Sequence, residues 1–210
     1  MADELVLYTN PMSRGRIVRW MLEELGMPYR AEIIAFGPAM KAPAYTSINP
    51  MGKVPAIVHN GTVVTEVAAI LAYLADAFPA AGLAPRAGDP QRGAYYRWLF
   101  FAAGPLEQAV VNRSYGFQLP DDPAARGRAG YGSYEAVLNT LEQAVSATDF
   151  LAGGAFSAAD LYAASHLGWG MMMGGIEKRP AFERYVGSKV ARPAALRARA
   201  IDDALVPKKA

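Results

Sequence analysis

The sequence contains no cysteine. That absence removes thiol nucleophiles, CxxC redox chemistry, disulfide frameworks and thiolate zinc sites together. Histidine is scarce as well: His59 and His166 are the only two, too few for a multi-histidine metal centre, so no metal is expected. No stretch approaches the roughly 20 uninterrupted apolar residues of a membrane span. Met1-Ala2-Asp3-Glu4 is acidic where a secretory signal carries positive charge, so the expected setting is cytoplasmic, without membrane contact. Nor is charge of one sign in excess. The formal net charge is +2, too small to imply a nucleic-acid partner. The basic residues near the C-terminus, Arg192, Arg197, Arg199, Lys208 and Lys209, lack interleaved aromatics and read as a solvated helical end.

What is present is enough apolar residue for a core. A chain of 210 residues that is 52% hydrophobic buries roughly 70% of its unfolded surface and needs no staple. Its first eighty residues alternate strand and helix signals. Glu4-Leu5-Val6-Leu7-Tyr8 reads as a strand ended by Asn10-Pro11, followed by a helix with Ile17, Met21 and Leu25 spaced by four. In that reading Val18 and Leu22 flank the stripe, charged Arg16, Arg19, Glu23 and Glu24 surround it, and Gly26 and Pro28 close the helix. Tyr29 to Ile34 gives a second strand. Val54 to Val58 and Thr62 to Val64 bracket Asn60-Gly61, a strong hairpin signal. Val67, Ile70, Leu71, Leu74 and Phe78 then mark an amphipathic helix. From about Gly88 only helical patterns follow, including a broadly apolar run from Tyr95 to Val111 and another helix from Tyr134 to Val145. Ser157-Ala158-Ala159-Asp160 has the form of a capping box. The expected fold is α+β over residues 1–81, in βαβ-ββα order, then an all-α domain over 88–210.

Four places carry chemistry. Pro55 sits inside a hairpin strand, where it cannot donate a ladder bond; an edge strand or a cis Val54-Pro55 bond resolves this. Thr65 reads as an N-cap before Glu66 and Val67, at a helix start whose amides suit a carboxylate. Tyr8, Asn10 and Ser13 are hydrogen-bond donors at the junction of the first strand and helix, beside Arg14 and Arg16. Each also has a plain structural role, as a strand aromatic, a turn residue and an N-cap. The fourth place is the Ser157–Asp160 box.

Taken together, Asn49-Pro50-Met51-Gly52-Lys53-Val54-Pro55, Thr65-Glu66 and Phe156-Ser157-Ala158-Ala159-Asp160 resemble the cytosolic glutathione transferases along nearly the whole chain. The resemblance implies a thioredoxin-like domain followed by a helical one, with glutathione as co-substrate. It implies that Val54, before Pro55, pairs by backbone with the cysteinyl unit. Lys53, assisted by Lys41, would face the glycyl carboxylate, and Glu66 the γ-glutamyl amine. The amide of Val67 would take the γ-glutamyl carboxylate. Val67 departs from the family's serine at that position and forgoes one hydroxyl hydrogen bond.

The resemblance also implies a group near the end of the first strand that hydrogen-bonds the glutathione sulfur. Ser13 matches the serine type of plant and bacterial members, Tyr8 the tyrosine type, and Asn10 is a third candidate. A free thiol with pKa about 8.5 is only a few per cent thiolate at neutral pH, so such a donor raises the population that attacks a hydrophobic electrophile. Tyr95, Tyr96, Trp98, Tyr115 and Met171 to Met173 are candidates for the electrophile site, with core packing as the alternative use. The family implies a homodimer and a role in detoxification. A non-catalytic binding or interaction protein, and glutathione-dependent peroxidase or lyase chemistry, stand as alternatives.

Overall fold

The computed structural model describes residues 4–206. Met1 to Asp3, and Lys208 and Lys209 of the basic stretch, lie outside the described residues. Two compact units emerge: one of residues 4–81 with 191–206, the other of residues 82–190.

The first unit runs β1 (Leu5–Thr9), α1 (Gly15–Leu25), β2 (Arg30–Ile33), two four-residue helices α2 (Pro38–Lys41) and α3 (Pro43–Thr46), β3 (Ala56–His59), β4 (Thr62–Thr65) and α4 (Val67–Ala77). The sheet order is β2-β1-β3-β4, with β1 parallel to β2 and antiparallel to β3, and β3 antiparallel to β4. This is the thioredoxin-like βαβ-ββα arrangement. The hairpin turns at Asn60 and Gly61, both at positive φ (48° and 81°), as a two-residue turn matching strand twist requires. Leu7, Met21, Leu22, Ile57, Ile70, Leu71 and Leu74 are fully buried and form the core. The stripe of α1 is rotated from the expected one: Val18, Met21 and Leu22 are buried, whereas Ile17 and Leu25 are only partly so. Arg19, expected on the charged flank, is buried.

The second unit is all-helical: α5 (Gln91–Phe101), a widened π turn over Ala102–Leu106, α6 (Glu107–Ser114), α7 (Pro123–Arg128), α8 (Tyr134–Ala147), α9 (Ala158–Met173) and α10 (Pro180–Val190). The run expected as one helix from Tyr95 to Val111 is thus interrupted around Pro105. Proline has no amide hydrogen and its ring crowds the preceding turn, and a π turn absorbs the mismatch. Tyr95 and Trp98 are core residues, which corrects the suggestion that they line a substrate pocket. Tyr96, Tyr115, Met172 and Met173 are exposed.

Asp160 organises the start of α9. Fully buried, it accepts from the Leu151 amide at 2.8 Å, the Ser157 amide at 2.9 Å, the Ser157 hydroxyl at 2.8 Å and the Tyr185 hydroxyl at 2.7 Å. Four donors compensate the cost of taking a carboxylate out of water. Burial, with Asp160 adjacent, drives the Tyr185 phenol far above its ordinary pKa, so it remains a donor.

The chain then returns to the first unit with α11 (Pro193–Leu205), which packs Ala194, Ala195 and Ala198 inward against α1. Arg19 meets Asp202 at 2.8 Å, with the two side chains 2% and 1% exposed. Burial is the larger influence on the Asp202 carboxyl and raises its pKa, against the pull of Arg19. On Arg19 burial acts downward, but Asp202 and Tyr29 outweigh it and hold the guanidinium charged. The solvated-end reading of the basic stretch fails at Arg192 and Arg197, which bind Glu24 at 2.7 Å and Glu23 at 3.1 Å on α1.

Asp160→Ala should cost about 3–5 kcal/mol of stability, because it leaves two buried amides and two hydroxyls without an acceptor. Tyr185→Phe should cost about 1–2 kcal/mol. Urea unfolding followed by circular dichroism measures both.

Candidate functional site

The register of the sheet sets the site. Tyr8 pairs with Ala56, and Ala56 with Thr65, so the end of β1, the start of β3 and the end of β4 form one row. Immediately beyond that row come the Asn10–Ser13 turn, the Val54-Pro55 pair and Glu66. The Val54-Pro55 peptide is cis. Among the described residues the amide and carbonyl of Val54 have no hydrogen-bond partner. A peptide unit left unpaired at a sheet end is a docking point for another backbone.

The three carbonyls that precede Val54 are occupied. Lys41 Nζ donates to Met51 at 2.8 Å and to Gly52 at 3.1 Å. Tyr45 Oη donates to the Lys53 carbonyl at 2.6 Å, and Asn49 Nδ2 to the same oxygen at 2.7 Å. Asn49 Oδ1 accepts from the Met51 amide at 3.1 Å, closing an Asx turn. Burial pushes the Tyr45 phenol up to about 12, so it donates throughout the neutral range. Lys41 therefore fastens the loop that presents Val54. Tyr45 and Asn49 do the same work, and of these only Asn49 carried a local signal, its position before Pro50.

Lys53 and Glu66 are exposed, and neither side chain has a hydrogen bond or ion pair among the described residues. Thr65 is not the N-cap: it ends β4, and Glu66 occupies the cap position. Glu66 does so at φ 66°, a conformation that is uncommon for a non-glycine residue and concentrated at functional sites. The Val67 amide opens α4 without a backbone partner among the described residues.

At the other edge of the site, Asn10 is spent on structure. Its amide nitrogen donates to the Ile34 carbonyl at 2.9 Å and its oxygen accepts from the Met12 amide at 2.9 Å. The Ser13 hydroxyl donates to the Asn10 carbonyl at 2.7 Å and accepts from the Gly15 amide at 3.0 Å. The Asn10 carbonyl also accepts the Ser13 amide at 3.0 Å, so it stays satisfied if the hydroxyl hydrogen turns elsewhere. Tyr8 lies with its ring 5.9 Å from that of Tyr45, and its hydroxyl has no partner among the described residues. Arg16 is not a loose positive charge: it donates to the Pro11 carbonyl and to Asp203. Gly15 begins α1 where a Cβ would lie 1.9 Å from Thr9 Oγ1, so the helix can start this close to β1 only with glycine.

At this end of the sheet, Lys53, Glu66, the Val54 peptide and the Tyr8 hydroxyl have no partner among the described residues, and the Ser13 hydroxyl lies on the turn beyond β1. The chain matches the family model described as Glutathione S-transferase, N-terminal domain, over residues 12–77. It is similar to glutathione S-transferase GST-4.5 of Xanthomonas campestris pv. campestris, at 27% identity over 84% of this chain and 89% of that protein. Glutathione S-transferase 3 of Schizosaccharomyces pombe is 28% identical over 74% of this chain and 70% of its own length. Among solved structures, a sphingomonad glutathione S-transferase complexed with glutathione superposes with TM-score 0.76 at 29% identity, covering 94% of this chain and 98% of that one.

Gly52 holds φ 56°, and a Cβ there would sit 2.5 Å from the Met40 carbonyl oxygen and 2.9 Å from Lys41 Cδ. Gly52→Ala should therefore lower stability by about 2 kcal/mol or more, read from the thermal midpoint.

Proposed function

Because this chain belongs to the glutathione S-transferase family, we propose that it binds glutathione along the Val54 edge and transfers its sulfur to a hydrophobic electrophile. The unpaired Val54 peptide, flanked by unpaired Lys53 and Glu66, is the observation that carries this reading. Val54 takes the cysteinyl backbone as a further strand would. Lys53 neutralises the glycyl carboxylate; Lys41, tied to Met51 and Gly52, supports the loop and adds positive potential. Glu66 meets the γ-glutamyl ammonium, and the Val67 amide at the start of α4 takes the adjacent carboxylate.

Ser13 is the group we assign to the sulfur. Its oxygen is held by the Gly15 amide, so donating to a thiolate requires only that the hydroxyl hydrogen swing away from the Asn10 carbonyl. The incoming amide bond also polarises the hydroxyl toward donation. The thiol proton leaves to solvent, the thiolate attacks the electrophilic carbon, and the leaving group departs with its bonding pair. Tyr8, with an unpaired hydroxyl, is the competing donor. The electrophile class is hydrophobic. A homodimer is supported by Phe100, 67% exposed on α5, and Tyr96 beside it, an apolar surface more typical of an interface than of a free helix. A cytoplasmic setting, where glutathione is reduced, supplies the co-substrate.

Ser13→Ala should raise the thiol pKa of bound glutathione by about one to two units and slow conjugation about ten- to a hundredfold near neutral pH, with glutathione affinity little changed. Tyr8→Phe should leave the pH–rate profile in place. The opposite pattern assigns the thiolate to Tyr8. A protein that is retained by immobilised glutathione yet turns over no electrophile or peroxide would be a binding module instead. Sedimentation at micromolar concentration should give twice the 22.5 kDa chain mass; a monomer overturns the dimer.

A further inference from the structure

The turn that carries Ser13 is tied to the last helix of the chain. Arg16, in the first turn of α1, donates from Nε to the Pro11 carbonyl and from Nη1 to Asp203 Oδ1 at 2.7 Å. Pro11 lies between Asn10 and Ser13, so its carbonyl belongs to the backbone that aims the Ser13 hydroxyl. The adjacent acid of α11, Asp202, meets Arg19 at 2.8 Å less than one turn further along α1. Two consecutive acids of one helix thus hold two arginines of the other. Asp202 and Arg19 are buried, as expected for an anchor, but Asp203 is half-exposed. An exposed ion pair contributes little to stability, so stability gives a weak account of the Asp203–Arg16 contact. Asp203 has one further cation near it, Arg199 at 3.5 Å. Hydrogen bonding from Arg16 holds the Asp203 carboxyl below the ordinary carboxylate range, so it is ionised wherever the enzyme works.

We propose that α11 is part of the catalytic apparatus: Asp203, through Arg16, fixes the Pro11 carbonyl and with it the turn that directs the Ser13 hydroxyl to the glutathione sulfur. Asp203 and Arg16 are positioning residues for that donor. The inference rests on the assignment of thiolate stabilisation to this turn.

The sign of the effect separates positioning from simple electrostatics. A carboxylate near the site disfavours a thiolate, so deleting its charge alone would lower the thiol pKa. Loss of positioning has the opposite sign, because a misdirected donor leaves the thiolate less stabilised. The test is the pH–rate profile of the full chain with glutathione and a chlorodinitrobenzene. Asp203→Asn should raise the apparent thiol pKa by about half a unit to one unit, a roughly three- to tenfold loss of rate below that pKa. The rates should converge at high pH, and the KM for glutathione should stay within about twofold. Asp203→Glu should restore the profile, and Arg199→Gln should leave it unchanged. Adding Asp203→Asn to Arg16→Gln should produce no further shift, because both act through one contact. A profile that stays in place or moves down in Asp203→Asn, while Ser13→Ala moves it up, overturns the role of α11 and leaves the Ser13 assignment standing. A rise in Asp203→Asn with a silent Ser13→Ala keeps the coupling and moves the donor elsewhere on the turn. Silence in both overturns both.

Discussion

The buried contact between Arg19 and Asp202 is the constraint on which the first unit depends. A guanidinium held out of water is strongly unfavourable unless an opposite charge and hydrogen bonds compensate it. Here the compensation comes from a residue 183 positions away in sequence. The pair fixes the rotation of α1 about its axis. That rotation is the one in which Val18, Met21 and Leu22 are buried and Arg16 reaches the Pro11 carbonyl. The small, buried side chains of Ala194, Ala195 and Ala198 let α11 approach closely enough for the short Asp202 side chain to complete the contact. Replacing such a pair by apolar residues often costs nothing, so its value here lies in specifying one geometry of α1.

The ligand edge follows a complementary logic. Before Val54 the chain satisfies the Met51, Gly52 and Lys53 carbonyls from within, by Lys41, Tyr45 and Asn49, and among the described residues the Val54 amide and carbonyl pair with nothing. A rigid frame is what keeps the Val54 peptide from pairing within the chain. A loop free to rearrange would pair its own backbone and lose the docking point. The charges follow suit: Lys53 and Glu66 have no partner among the described residues, whereas Arg16, Arg192 and Arg197 are each ion-paired. Unspent polar groups mark the ligand, and spent ones mark the scaffold.

Features with a short range were legible in the sequence. The Asn60-Gly61 hairpin, the βαβ order, the Ser157–Asp160 box and the run from Asn49 to Pro55 are each set by residues within a few positions of one another, and each is found in the structure. Features set by distant partners were not. Nothing local distinguishes Arg19 from the surface charges Glu23 and Arg16 that flank it, since its partner lies on the last helix. Tyr95 and Trp98 belong to a run with apolar residues on every side, where spacing cannot tell which faces the interior. The cap before α4 differs from the expected Thr65 for a subtler reason. Thr65 is the better capping residue by type, but the ladder to Ala56 retains it as strand, and Glu66 takes the turn instead. The α2 and α3 helices are too short for any periodicity and begin at Pro38 and Pro43, which read equally well as loop.

The order of the chain has a consequence for its synthesis. The first unit is interrupted by the whole of the second, and the helix that neutralises Arg19 is synthesised only after both. Chains usually fold domain by domain from the N-terminus as they emerge. Here that route stops short: α1 must wait with an unmatched arginine until residues 193–205 appear. The helical unit, contiguous in sequence, is free to fold in the interval. Its completion precedes that of the first unit, and a nascent chain that has not yet made residues 193–205 holds a contiguous helical unit while Arg19 is still unmatched.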